Sequence, residues 1–385
     1  MSTPDDVELP LKGLLVLDLS QFLAGPSAAL RLADLGARVV KVERPNGGEA
    51  GRSLGLSDLK LNGDSLLFHT INRNKESIAI DLKSPEQLER LKRLVMEADV
   101  MIQGFRPGVL ESYGLDYPSV HLSNPRLVYG SVSGYGSVGP WRDRPGQDLV
   151  VQAISGLPWL NGNRDDPPVA FGLSIVDTLA GTHLGQGILA CLVRRGITGK
   201  GGLVEVSLLE SAIDLQFEVL TTYLNDGGRL PVRSELAGAH PYLGAPYGIY
   251  RTADGYLALA MGSVTELGEL IGAPQVAAFD DPGSWWGQRD RIKRLLAEHL
   301  VTQPTYEWLS RLEPAGFWCA EVMDWPDLLS HDGFKALDML QGLEHDSTSI
   351  MTTRCPIRID GKTLTSARPG PRLGEHRALP ERVHE

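Results

Sequence analysis

Cysteine is scarce. The 385 residues hold three, Cys191, Cys319 and Cys355, far apart and without zinc-site spacing. Neither a disulfide framework nor a structural metal centre is expected, and an unpaired set suits a reducing cytoplasm. Basic residues are outnumbered. The 37 Lys and Arg stand against 48 Asp and Glu, for a net charge of −11, which argues against a nucleic-acid groove or an anionic membrane as main partner. No HExxH pairs the histidines, so no metal is expected. No apolar run has the length of a membrane span. The opening residues Met1–Glu8 are polar and acidic, unlike a secretory leader. What is present is the composition of a soluble globular chain, 42% hydrophobic and 22% charged, with 43 glycines that favour turns and close packing.

The first half alternates strands and helices. Leu14–Leu19 reads as a buried strand, and Pro26 stands in the first turn of a helix that stops at Gly36. Val39–Glu43 is a second strand, so a parallel sheet covered by helices is predicted. Ile78–Leu82 reads as a third strand, and Ser84-Pro85 as a helix start. Val100–Ile102 and Leu127–Val132 complete the set, and Leu203–Leu215 reads as a helix closing the sheet half. A Gly- and Pro-rich segment, Leu224–Pro246, leads to a predicted hairpin over Tyr247–Ala260 with Asp254-Gly255 at its turn. A helical stretch through Trp285-Trp286 to Leu312 and an extended, proline-rich tail follow.

Nucleotide and hydrolase fingerprints fail on context. The first strand-to-helix loop is Leu23-Ala24-Gly25-Pro26, without the GxGxxG turn, although Glu43 ends strand two where a ribose-binding acid is often found. Gly134–Gly139 matches GxGxxG by letter, but a Pro- and Arg-rich loop follows where a helix is required. Gly51-Arg52-Ser53-Leu54-Gly55 matches GxSxG in a loop and not at a strand-to-helix elbow. His69, His183 and His240 show no orienting partner by spacing, and Cys191 reads as a packed thiol. In doubly wound folds ligands bind beyond the carboxyl ends of strands. Arg44, Lys83 and Arg106 stand at such ends, with Ile80 and Phe105 as apolar neighbours, which suits a nucleotide with several phosphates.

Asp177 is the candidate nucleophile. It lies in Ser174-Ile175-Val176-Asp177-Thr178-Leu179-Ala180-Gly181, before a helix read over Thr182–Leu192. A helix start favours the ionised carboxylate and equally suits Asp as an N-cap. The small residues after it let another backbone or a ligand approach closely.

An ordered set of motifs resembles the class III CoA-transferases, the family of formyl-CoA transferase and carnitine CoA-transferase. It runs from Leu17-Asp18-Leu19 with Ala24-Gly25-Pro26, through Asn74-Lys75 with Ile80-Asp81-Leu82-Lys83, to Phe105-Arg106-Pro107-Gly108 and Ser133-Gly134-Tyr135-Gly136. It continues with Asp148, Asp177, Tyr250–Gly255 and Leu373-Gly374-Glu375-His376. The resemblance implies an α/β fold: a Rossmann-like large domain over 1–222, a smaller α+β domain over 223–328, and a C-terminal segment, 329–385, returning to the large domain. It also implies an interlocked homodimer. Asp177 takes the place of the catalytic aspartate. The coenzyme A contacts fall on Leu23, Ala24, Arg44, Ile80, Asp81, Leu82, Lys83, Gly104, Phe105, Arg106, Gln147 and Asp148. The substrates implied are an acyl-CoA and a small carboxylic acid. Leu23 and Ser112 stand where formyl-CoA-type members carry Gln and Arg, and their glycine-only loop has no counterpart nearer than Leu236–His240. Racemases of the same fold carry His at the place of Gln147, which disfavours an isomerase.

Overall fold

The computed structural model describes residues 9–345 and 348–376; the segment Met1–Glu8 lies outside the described residues. The chain divides into two compact units, 1–151 with 174–215 and 338–385, and 152–173 with 216–337. The segment 152–173, read from sequence as part of the large domain, thus belongs to the second unit.

The first unit is built on six parallel strands: β1 (Leu15–Asp18), β2 (Arg38–Glu43), β3 (Lys75–Ala79), β4 (Val100–Gln103), β5 (Val128–Ser133) and β6 (Gly202–Ser207), in the order β3-β2-β1-β4-β5-β6. The chain works outward from β1 to β3, then crosses back to β4 on the other side of β1. The strand order therefore reverses between β1 and β4, and the carboxyl ends of these two strands flank the crevice where open α/β sheets bind ligands.

Its helices include α1 (Ala24–Asp34), α2 (Pro85–Glu97), α4 (Ile175–Thr198) and α5 (Leu208–Leu215), with the first turn of α3 (Asp148–Ser155). α1 forms where Pro26 fits the first turn and ends before Gly36, whose φ of +104° no side-chain-bearing residue takes easily. The α2 start is as predicted, with Ser84 Oγ accepting from the Gln87 N–H. α1 and α4 cross at Gly181, where a Cβ would lie 2.0 Å from Ser27 Oγ and 2.6 Å from the Ala24 carbonyl oxygen.

Three sequence readings are corrected. The third strand is Lys75–Ala79, three residues earlier than expected, although Ile80 still donates its N–H to the Glu43 carbonyl. Leu203–Leu215 is not one helix. Its first part pairs as β6 along the whole of β5. Ser207 then leads into α5, its Oγ accepting from the Glu210 N–H at 3.1 Å and donating to the Glu210 carboxylate at 2.6 Å. α4 begins ahead of Asp177 and runs 24 residues, long and apolar enough by composition to cross a membrane, contrary to expectation. Here Val176 and Ala180 are buried with Ala24, Tyr135, Val151, Leu208 and Ala212, and Leu184 and Ile188 join the core beneath α1.

The tail packs on this same unit. Two antiparallel hairpins, Leu340–His345 with Thr348–Thr353 and Cys355–Ile359 with Lys362–Leu364, precede an extended run to His376. That run bonds beside β3: Asn74 N–H donates to the Arg368 carbonyl, and His376 N–H to the Ser77 carbonyl, each at 3.0 Å.

The second unit holds helix α6 (Phe217–Asn225) and an antiparallel sheet of β7 (Gly248–Arg251), β8 (Tyr256–Leu259) and β9 (Cys319–Glu321). β7 and β8 form the expected hairpin, its Asp254-Gly255 turn closed by the Gly255 N–H donating to Thr252 Oγ. Helices α7 (Val264–Leu270), α8 (Arg289–Leu300) and α9 (Thr305–Leu312) bury Leu267, Ile292, Leu296 and Trp308 with Tyr250 and Leu257. Trp285 and Trp286 lie in the turn before α8, not in a helix.

Candidate active site

The loop between β1 and α1 stands on a buried ion cluster. Asp18, at the end of β1, is fully buried and accepts from Lys75 Nζ at 2.9 Å, Lys41 Nζ at 3.5 Å and the Ser20 N–H at 3.0 Å. Ser20 Oγ donates to the same carboxylate. Lys75 also reaches the Pro26 carbonyl in the first turn of α1, and Lys41 the Ser20 carbonyl. Burial opposes ionisation of Asp18, but the two ammonium groups override it and hold its carboxyl far below the usual range. Burial lowers Lys75 to about 8 against the pull of Asp18. Glu49 accepts the Phe22 N–H at 3.1 Å and so fixes Phe22 at a φ of +65°, with its ring half in solvent. Gly25 closes the loop: a Cβ there would lie 2.3 Å from Ser20 Cβ.

A cavity of about 270 Å³ opens beside this loop at the strand ends. Arg44, Ile80, Asp81, Leu82, Lys83 and Phe105 line it, so six of the expected coenzyme A contacts share one hollow. Arg44 is exposed and donates from Nε to the Gly48 carbonyl at 2.7 Å. Arg106 instead lines a second hollow of about 480 Å³ with Tyr129 and Arg142, and Phe105 is common to both. The three cations therefore do not converge on one point. Glu43 is not available to a ribose. Arg52 grips its two oxygens at 2.7 Å each, and Ser77 Oγ donates to it at 2.6 Å. Gly104 lies against Val132 and near Ser20, so its lack of a side chain keeps the β4 end close to the β1 loop.

Leu23 and Ala24 begin α1, and the Ala24 carbonyl meets Gly181, one helical turn beyond Asp177. The crossing of α1 and α4 thus brings the β1 loop and Asp177 to one place. Asp177 is half-buried in the first turn of α4 and is not its cap. The cap comes from Asp148, whose carboxylate accepts from the Val176 N–H at 2.9 Å and the Asp177 N–H at 3.0 Å. Among the described residues no donor reaches the Asp177 carboxylate. The expected preference for ionisation is reversed. Burial first, and the Asp148 charge second, push Asp177 up to about 7. Gln147 is exposed just before α3, its carbonyl accepting the Val151 N–H. Gly134 and Gly146 touch backbone to backbone, a Cβ on either falling within 2.7 Å of the other's Cα, which closes the loop leading to Asp148.

The ion cluster and the capping role of Asp148 escaped the sequence reading. A lysine inside the apolar run Val39-Val40-Lys41-Val42 was the one local sign, since a charge at a buried strand position needs a partner.

A family model described as CoA-transferase family III matches residues 11–377. Succinate–glutarate CoA-transferase of Agrobacterium fabrum is 34% identical over 384 residues, 96% of this chain and 94% of that protein. Acetyl-CoA:oxalate CoA-transferase of Acetobacter aceti is 33% identical over 385 residues, 98% of this chain and 96% of that protein. Among solved structures, a CAIB/BAIF family protein from Brucella suis superposes with a TM-score of 0.82 at 32% identity, covering 95% of this chain and 97% of its own.

Proposed function

The chain belongs to CoA-transferase family III, and from that premise we propose that it moves coenzyme A between two carboxylic acids through Asp177. It is an enzyme of the CoA-transferase class, acting on CoA thioesters. The observation that carries the finer reading is the Asp177 carboxylate. It is half-buried and unbonded among the described residues, beside the start of α1 at the reversal of the sheet order.

In this reading Asp177 attacks the carbonyl of the donor thioester. The C–S bond breaks, leaving a mixed anhydride and a CoA thiolate. The thiolate attacks the aspartyl carbonyl, releasing the donor as its carboxylate and forming an aspartyl-CoA thioester. The acceptor carboxylate attacks that thioester to give a second anhydride, and the thiolate then attacks the acceptor acyl carbon. Asp177 returns as a carboxylate. Each step exchanges one activated acyl group for another, so no external energy source enters. The hollow lined by Arg44, Ile80–Lys83 and Phe105 has room for one end of a coenzyme A, with the cations at its mouth for phosphate oxygens. Gln147 offers neither acid nor base, so nothing favours an isomerase.

The relatives' names supply the acceptor class, a short dicarboxylic acid, since those proteins are named for succinate with glutarate and for oxalate. The exposed apolar face of α6, with Phe217, Leu220 and Leu224, supports self-association, which gel filtration reads directly. The test of the central reading is mass spectrometry after mixing with succinyl-CoA and hydroxylamine. A hydroxamate on Asp177 is expected, together with transfer to glutarate or oxalate. An Asp177→Ala variant that kept full turnover would sink it.

A further inference from the structure

Two carboxylates meet at the start of α4, and the helix end serves only one of them. The first-turn N–H groups of a helix have no partner within it. Ser174, at the N-cap, makes no side-chain cap bond. The Val176 and Asp177 N–H groups both donate to one oxygen of Asp148, which is 6% exposed and arrives from 28 residues earlier in the chain. Without Asp148, those two donors stand within the turn that carries Asp177, where a first-turn acid is the natural acceptor. A carboxylate holding N–H bonds has its lone pairs engaged and its charge stabilised, so it is a weaker base and nucleophile.

We propose that Asp148 is a positioning residue for the transfer reaction: by taking the donors at the start of α4 it leaves the Asp177 carboxylate unbonded for attack on the thioester. This replaces the expected role of Asp148 as a coenzyme A contact, and it rests on the reading of Asp177 as nucleophile. The direction of the Asp177 shift agrees, with burial its larger cause and Asp148 its second. Most other charged groups on the elements around α4 have partners of their own. Arg31 and Asp34 of α1 pair with each other, and Asp34 also with Arg73. Tyr129 of β5 donates to the Leu115 carbonyl. Glu205 of β6 lines the second hollow, as does Glu210 of α5, which accepts from Ser207. His183, further along α4, lies between Ser211 and Asp214 of α5. Among these groups, Asp148 is the one whose charge acts on Asp177.

The experiment titrates Asp177 itself, by carboxyl ¹³C NMR of aspartate-labelled protein, the signal being assigned by its loss in Asp177→Asn. Wild type, Asp148→Asn and Asp148→Ala are compared. Asn keeps an acceptor but no charge, and Ala frees both donors. The Asp177 midpoint is expected near 7 in wild type, lower in Asp148→Asn and lowest in Asp148→Ala, by about one unit or more in all. At pH 8, where Asp177 is ionised in each protein, kcat should fall about tenfold or more in Asp148→Ala, with KM for succinyl-CoA little changed. An unmoved Asp177 midpoint overturns the proposal, even if the variants melt earlier. So does a raised KM with kcat intact, which is the mark of a coenzyme A contact. If Asp148→Ala does not fold, the Asn variant carries the same comparison. Failure of hydroxylamine trapping in wild type strikes the nucleophile reading instead, so the two outcomes are distinguishable.

Discussion

Asp177 costs the fold something, and the sign can be worked out. Its folded value of about 7 lies above the ordinary 3.8. Below 3.8 both folded and unfolded chains hold the proton, and the stabilising preference for the neutral form is fully present. As pH rises toward 7 the unfolded chain gives up its proton while the folded one keeps it, so stability falls, and above 7 the loss is complete. Asp177→Asn removes the ionisation. At pH 8 this variant should be more stable than wild type by about 1 to 3 kcal/mol after allowing for solvent screening, and near pH 3 the two should melt together. Thermal scans across pH check this, and a variant less stable than wild type at pH 8 refutes it. Such an inactive, stabilised variant is the signature of a site that trades stability for reactivity. Lys41 is the opposite case. It is wholly buried, bonding the Ser20 carbonyl at 3.0 Å and lying 3.5 Å from Asp18 and 3.8 Å from Glu49. Lys41→Met leaves Glu49 buried without that cation, and removing one partner of a buried pair costs about 3–5 kcal/mol. Urea unfolding should show an unfolding free energy lowered by that amount, and the β1 loop, having lost the Lys41 bond to the Ser20 carbonyl, should bind acyl-CoA less tightly.

Helix α4 and the sheet around it show which features were legible in the chain and which were not. Strands β1 and β2 and helix α1 are marked by dense apolar runs and by Pro26 and Gly36, all local signals. β6 was misread because Leu203–Leu215 carries apolar residues at both strand and helix spacing; Ser207, whose Oγ accepts the Glu210 N–H, was the mark of the break. The Asp18 cluster was hidden because its members are far apart in the chain, Lys41 at 23 residues and Lys75 at 57. No pattern window spans such distances. The capping of α4 by Asp148 was hidden for the same reason. Of the glycines after Asp177 expected to be places of close approach, Gly181 and Gly187 are such places and Gly185 is not. At Gly181 a Cβ would meet Ser27 Oγ and the Ala24 carbonyl, whereas at Gly185 it would meet nothing within 4 Å. Alanine is the better helix former by about 0.5–1 kcal/mol. Gly185→Ala should therefore stabilise the protein by about that amount. Gly181→Ala should destabilise it by about 1–3 kcal/mol through overpacking and lower turnover by moving α1 away from Asp177. Equal effects from the two variants, read by melting temperature and transferase rate, would show that the helices do not meet as closely as described.

The first unit is assembled from three separate stretches of chain, and its tail bears on the sheet that carries the site. β3 is the outermost strand on its side, and an unpaired strand edge invites association with other chains. The tail covers it. Gly374 N–H donates to Ser77 Oγ and His376 N–H to the Ser77 carbonyl, both at 3.0 Å, while the Ser77 N–H donates to His376 Nδ1 at 3.2 Å. The Pro371 carbonyl accepts from Arg52, the same guanidinium that holds Glu43 at the end of β2. Gly370 packs on the backbone of His69, and a Cβ there would lie 2.9 Å from the His69 Cα. The tail thus ties the β3 edge to the ion network beneath the candidate coenzyme A hollow. A chain ended after Ser366 keeps both hairpins of the C-terminal segment but loses every one of these bonds. It should express as a protein with helix content close to wild type and a melting temperature lower by several degrees, because the buried Arg52 and the polar groups of Ser77 lose partners. The bared β3 edge should also make it associate into larger species as concentration rises. Circular dichroism melts and gel filtration over a concentration series test both parts, and a truncated chain that melts and elutes like the full one would show that the tail does not hold this edge.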